Sequence, residues 1–322
     1  MARKRKSKAK KGLILTGILF ATTFMAIGYS VLSRELNFRV EANLHVSEKY
    51  LWHKIQNEYL STSGSGFYKN SNETTKYSYM GDGSSNYIML ENDLWRIISV
   101  EADHTIKVVK LDDKIVKAFD EGNNRNTTNS SYCTNPLLGC NSWSLQTSFT
   151  NGDITGSVEN DSTILTYLNN DFYKGLPDNI QSIVVDHNFN IGPVNKDASL
   201  NEVLSQESKY SWSGKVGLLS ISDILYASNS TTITTSSSLS NNYISDYAKN
   251  KIVWTSNPLY NDTSKVWVIN NEGNLSNKDA KEISEENEKT TYNYTVLPVM
   301  YLSSSIQYSN GDGTQNNPFV IK

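Results

Sequence analysis

Histidine, cysteine and proline are scarce in this chain: 4, 2 and 6 of 322 residues. His45, His53, His104 and His187 show no metal-ligand spacing such as two on one helix face. There is no Gly-x-Ser-x-Gly elbow, no phosphate-cradling glycine loop with a following Lys, and no dinucleotide fingerprint. These absences weaken an enzyme reading without excluding it, since triads assemble from distant positions. No catalytic or cofactor-binding residue is assigned. Cys133 and Cys140 are seven positions apart and read as a disulfide closing a short loop, worth ~2.5 kcal/mol by chain entropy in an oxidising compartment. A zinc site would need two further soft or imidazole ligands, and only His104 lies within thirty residues of Cys133.

Positive charge is also missing from most of the chain. Arg3, Lys4, Arg5, Lys6, Lys8, Lys10 and Lys11 crowd the start, and without these seven the formal charge falls from −3 to −10. The acidic remainder lacks the basic footprint that nucleic acid requires. Directly behind the cations, Gly12 to Leu32 carries no charged side chain. As a helix it would span roughly 31 Å, the thickness of a bilayer core. The flanking cations predict a cytoplasmic N-terminus and a single-pass membrane protein with its bulk extracellular. Small residues at Ala26-Ile27-Gly28 also fit a cleaved signal, in which case the chain is secreted.

Beyond this run, Leu36, Phe38, Val40, Ala42, Leu44 and Val46 alternate with polar residues as a half-buried strand. Ser47 is placed to cap a helix carrying Leu51, Trp52 and Ile55. Ser61 to Gly66 has a linker composition, and a boundary is expected near residues 61 to 80. Three apolar runs, 87–90, 94–100 and 105–111, predict an antiparallel meander. Ile164, Leu165, Leu168 and Phe172 step along a helical face, and Ser220 with Asp223 predicts a helix start. Tyr294 to Leu302 reads as a strand that Pro298 confines to an edge or bulge.

The nearest approach to a metal loop is Asp186, Asn188 and Asn190, with Asp197 at the twelfth position. A calcium loop wants Gly sixth and Glu twelfth, whereas Ile191 and Asp197 stand there. Calcium is the one cofactor for which the sequence offers candidates. Among the six tryptophans, Trp143 and Trp212 sit in polar segments, where an aromatic face could stack on a sugar or anchor a partner. The alternative is that each plugs the domain surface.

Tyr87 to Val100 with its Leu94-Trp95-Arg96, Cys133 to Trp143, Ser162 to Phe172, Leu219 to Ala227, Trp254-Thr255-Ser256, and Pro298 to Leu302 followed by Gly311-Asp312-Gly313-Thr314 and Asn317-Pro318-Phe319 occur in that order. Together they resemble an uncharacterised domain family of exported proteins in Gram-positive bacteria, over about residues 81 to 322. The order is similar to the C-type-lectin-like fold of formylglycine-generating-type proteins, in which helices flank a small twisted sheet and long loops carry the ligand site. Leu297 departs from the pattern, which leads one to expect Arg before Pro298. The resemblance implies no functional residue.

The resulting expectation is an α+β protein. Residues 1–32 form a basic tail and membrane helix, and 33–80 a strand, helix and linker. Residues 81–322 form a C-type-lectin-like domain with a small twisted antiparallel sheet, two or three helices and long polar loops. Loops 117–160, 186–214 and 230–262 suit a recognition module for carbohydrate, wall polymer or a surface protein. A strand-donating filament component is the alternative, and an enzyme the next.

Overall fold

The computed structural model describes residues 49–322, excepting 113, 122–124, 126–132, 134–137, 145–147, 151, 152, 157–159, 229, 231, 234–238 and 282–293. The apolar run 12–32, the strand expected at 36–46 and the Ser47 cap lie outside the described residues. Lys49–Lys322 forms one unit.

The strands are β1 (Gly66–Lys69), β2 (Tyr77–Met80), β3 (Tyr87–Leu90), β4 (Asp93–Val100), β5 (Ile106–Val109), β6 (Val116–Lys117), β7 (Ser148–Thr150), β8 (Asp153–Gly156), β9 (His187–Asn190), β10 (Ser211–Gly214), β11 (Val216–Gly217), β12 (Val253–Pro258), β13 (Lys265–Ile269), β14 (Leu275–Asp279), β15 (Tyr294–Thr295), β16 (Val299–Leu302), β17 (Tyr308–Asn310) and β18 (Phe319–Ile321). The α-helices are α1 (Leu51–Glu58), α2 (Thr163–Thr166), α3 (Asp178–Ile183), α4 (Leu200–Glu207), α5 (Ile221–Ala227) and α6 (Tyr243–Ala248).

The meander forms as the apolar runs require, with Ile88 opposite Trp95 and Arg96 opposite Val109. It is the centre of a nine-stranded sheet ordered β11-β16-β5-β4-β3-β18-β17, while β2, with β1 beside it, pairs with the far end of β4. A second sheet, β14-β13-β12-β15-β6, has five strands. The small single sheet and two or three helices of the sequence reading are thus corrected to a mixed α+β fold of several sheets and six short α-helices among the described residues. Strands of two to five residues drawn from distant positions carry too little alternation to be counted from sequence.

Two local expectations change for physical reasons. Beyond the loop 61–65, the region 61–80 expected to hold a boundary forms the β1–β2 hairpin, fastened by buried Phe67 and Tyr79, whose rings meet edge-on at 5.2 Å. Pro298 lies at neither edge nor bulge. It stands between β15 in the five-stranded sheet and β16 in the nine-stranded one, so its missing N–H falls where the chain changes sheets.

Among the described residues no helix is long and apolar enough to cross a membrane. The longest helical run, 163–175, passes from α through π to 3-10 geometry and has 13 residues, about 20 Å against the ~30 Å of a bilayer core. The described residues therefore give no support to the expected N-terminal transmembrane helix and single-pass localisation, and the run 12–32 on which both rest is not among them.

Candidate functional site

A cleft opens where the β1–β2 hairpin faces α4. Ser199 caps α4 with a full capping box: its hydroxyl accepts from the Glu202 N–H, and its own N–H donates to the Glu202 carboxylate at 2.7 Å. An isolated bridge between Ser199 and Thr232 brings Thr232 against that helix end, and the last turn of α5 contributes Tyr226. The enclosed volume is about 620 Å³. Its walls carry hydroxyls and amides, among them Asn70, Asn72, Ser78, Asn201 and Ser230, beside the apolar side chains of Met80 and Leu200, and Lys69 is the single charged residue lining it among the described residues. Asn70 Nδ2 donates to Ser78 Oγ at 3.0 Å, and the Tyr68 hydroxyl donates to the Gly64 carbonyl at 2.7 Å. The Tyr226 ring is 8% exposed, and its hydroxyl lies beside Glu73 and Asn70 without a hydrogen bond of normal length. Burial, then Glu73, raises its pKa.

Behind Tyr226 the core holds a string of charges. Lys76 Nζ stands 5.9 Å from the Tyr226 ring centre and 3.4 Å from Glu101 Oε1. Deeper still, Lys107 Nζ meets Asp223 Oδ2 at 2.6 Å, the two side chains being 5% and 0% exposed. Burial opposes both charges. Asp223 and then Glu101 outweigh it at Lys107 and hold that amine above its usual value, while Lys107 and then Lys76 hold the Asp223 carboxyl below its own. Glu207, at the end of α4, accepts from the Ser222 N–H at 3.0 Å. Burial pushes its pKa up to about 7, and nearby Asp223 adds to the rise. Such a carboxyl is substantially protonated at neutral pH.

Residues 157–304 match the family model of a domain of unknown function, DUF6273. No curated protein and no solved structure matches the chain. The DUF6273 segment is shorter than the 81–322 over which the sequence pattern was followed. It contains Glu207, Asp223 and the α4 and α5 walls of the cleft, whereas Lys107, Lys76 and the hairpin precede it.

The sequence-nominated residues lie away from the cleft. Cys133 and Cys140 form the disulfide, with Cα atoms 5.1 Å apart. Trp143 is fully buried against Phe119 and Trp212, its indole N–H without a partner, so its ring presents no face to a ligand. Trp212 is half-buried on β10 and packs over Gly214 and Phe189. The suggested calcium ligands do not converge. Asn188 and Asn190 point outward from extended β9, and Asp186 pairs instead with Lys215 at 3.1 Å. Asp197 occupies an exposed position with φ 60°. A strand spreads oxygens that a cation would need gathered within bonding distance. Among the described residues no group of three or more His, Cys, Asp or Glu could hold a metal ion.

Of the three nominated loops, 186–214 and 230–262 supply the cleft residues Ser199, Asn201, Ser230 and Thr232. The third, 117–160, supplies no lining residue among those described. The hairpin does, and its polar composition conceals it. The signal that could have found it is Tyr77-Ser78-Tyr79-Met80, a short alternation masked by the polar stretch before it.

Proposed function

We propose that this protein is a recognition module that binds a neutral, hydroxyl-rich carbohydrate in the cleft between the β1–β2 hairpin and α4. The observation that carries the reading is the chemistry of the walls. Among the described lining residues, hydroxyls and amides stand beside Met80 and Leu200 with Lys69 the one cation, in a cavity of about 620 Å³, a size that suits a few sugar rings. Amide and hydroxyl groups exchange hydrogen bonds with sugar hydroxyls without the desolvation cost of a buried charge. Tyr68 and Tyr226 add apolar ring surface of the kind sugars stack against.

Titration calorimetry of the full chain against a panel of neutral and acidic oligosaccharides tests this. The expected result is saturable binding to a neutral member that weakens at least tenfold in Asn201→Ala and in Tyr68→Ala. Asn201 is exposed at the rim, so its loss leaves the fold intact. A panel without binding, or binding unchanged in both variants, removes the cleft from the function.

A further inference from the structure

The buried lysine and aspartate of the core are arranged for more than an ion pair. Lys107 lies on β5, all four of whose residues are buried between β4 and β16. Its partner Asp223 is 116 residues away in sequence on α5. Asp223 is fixed from three sides. Oδ2 accepts from the Lys107 ammonium and from the Ser220 N–H at 2.9 Å, and the Asp223 N–H donates to Ser220 Oγ. An Nζ that touches a carboxylate oxygen stands on the order of 3 Å from the carboxyl carbon, the separation of a near-attack pair.

A third group completes the arrangement. Glu207 is 0% exposed, and the N–H of Ser222, the residue before Asp223, holds its Oε1. Its Oε2 is buried with no hydrogen-bond partner, and so is Asp223 Oδ1. Glu207 is near enough to Asp223 for the two carboxyls to act on each other electrostatically, and a proton on Oε2 turned toward Asp223 Oδ1 would satisfy both orphaned oxygens and oppose negative charge developing there.

We propose that Lys107 and Asp223 condense into an intramolecular isopeptide bond, with Glu207 as the acid that assists the step, so that β5 and α5 become covalently joined. One ammonium proton passes to Asp223 Oδ2 across the existing hydrogen bond, giving a neutral amine and a neutral acid. This transfer works against the ion pair, whose charges hold the amine above and the carboxyl below their usual values, and is the demanding part of the step. The Nζ lone pair forms the N–C bond at Cγ while Glu207 donates its hydrogen bond to Oδ1. The Cγ–Oδ2 bond then breaks, and that oxygen leaves as water carrying the two protons that the ammonium has lost. Ammonium and carboxylate thus become amide and water. Glu207 ends protonated as it began, and no oxidant, reductant or further reactant is consumed. The product no longer holds two charges out of water, which favours the forward direction.

Intact-mass spectrometry of the full chain, unfolded in urea and with its disulfide reduced, tests the proposal directly. The expected mass is about 18 Da, one water, below that of the sequence. Fragmentation after proteolysis should yield a branched peptide joining Lys107 to Asp223. Lys107→Arg should restore the full mass, and Glu207→Gln should leave most of the chain unlinked. Asp223→Asn, if it reacts, loses ammonia instead, about 17 Da. Full mass in folded wild-type protein overturns the proposal. So does a deficit that persists in Lys107→Arg, or one that maps to a cyclised aspartate at Asp82-Gly83 or Asp312-Gly313. The wild-type measurement decides the matter even if a variant fails to fold.

Discussion

Trp143 meets Trp212 edge-on, with ring centres 5.7 Å apart and planes inclined at 70°. The contact seals one side of the core, Trp143 being 0% exposed and Trp212 half-buried. Trp143→Ala should therefore cost about 3–5 kcal/mol in urea unfolding, and Trp212→Ala clearly less. Since the Trp143 indole N–H has no partner, Trp143→Phe forfeits no hydrogen bond and should stay within about 1.5 kcal/mol of wild type. A Phe variant as unstable as the Ala variant would contradict this account of the contact.

Glu207 should give the protein an unusual dependence on pH. Its carboxyl is raised by burial from 4.5 to about 7, so the folded state binds the proton more tightly than the unfolded state does. Between those values stability falls as pH rises, by on the order of 3 kcal/mol in all, and levels off above pH 7. Unfolding free energies at pH 5 and pH 8 should show this decline in wild type and a flat profile in Glu207→Gln. The slope is the readout, because an absent crosslink would shift both points of the variant equally.

The Cys133–Cys140 disulfide closes a loop only seven residues apart, so its contribution is modest. Replacing both cysteines by serine should lower stability by about 2.5 kcal/mol. A thiol assay on the unfolded wild-type chain should find no free cysteine.

What the sequence disclosed was local. The meander at 87–111 shows in its apolar runs, the face stepped by Ile164, Leu165, Leu168 and Phe172 is helical, and Ser220 caps the helix that its spacing to Asp223 announces. Trp254 and Trp267 fall in strands as their β-branched neighbours suggest. What stayed hidden depends on a second layer. In Ile106-Lys107-Val108, the lysine reads as the solvent side of a half-buried strand, and only α5 packed over it makes that side interior. Asp223 reads as the partner of Ser220 in a capping box, which it is, and nothing near it in sequence reveals Lys107. The hairpin at 66–80 owes its place to pairing of Tyr77 and Ser78 with Val100 and Ser99, a partnership that polar composition does not advertise.

The strand order has a practical consequence for anyone trimming this protein. Within the matched stretch 157–304, β11 and β16 pair with each other, but the next neighbour of β16 is β5, from outside it. Cutting at those limits would bare the Val299–Leu302 backbone along one whole side and remove Lys107 from above Asp223. Such a fragment should precipitate or pair edge to edge with its copies. The matched stretch and the block that folds together are therefore different lengths of chain, and expression boundaries belong to the latter.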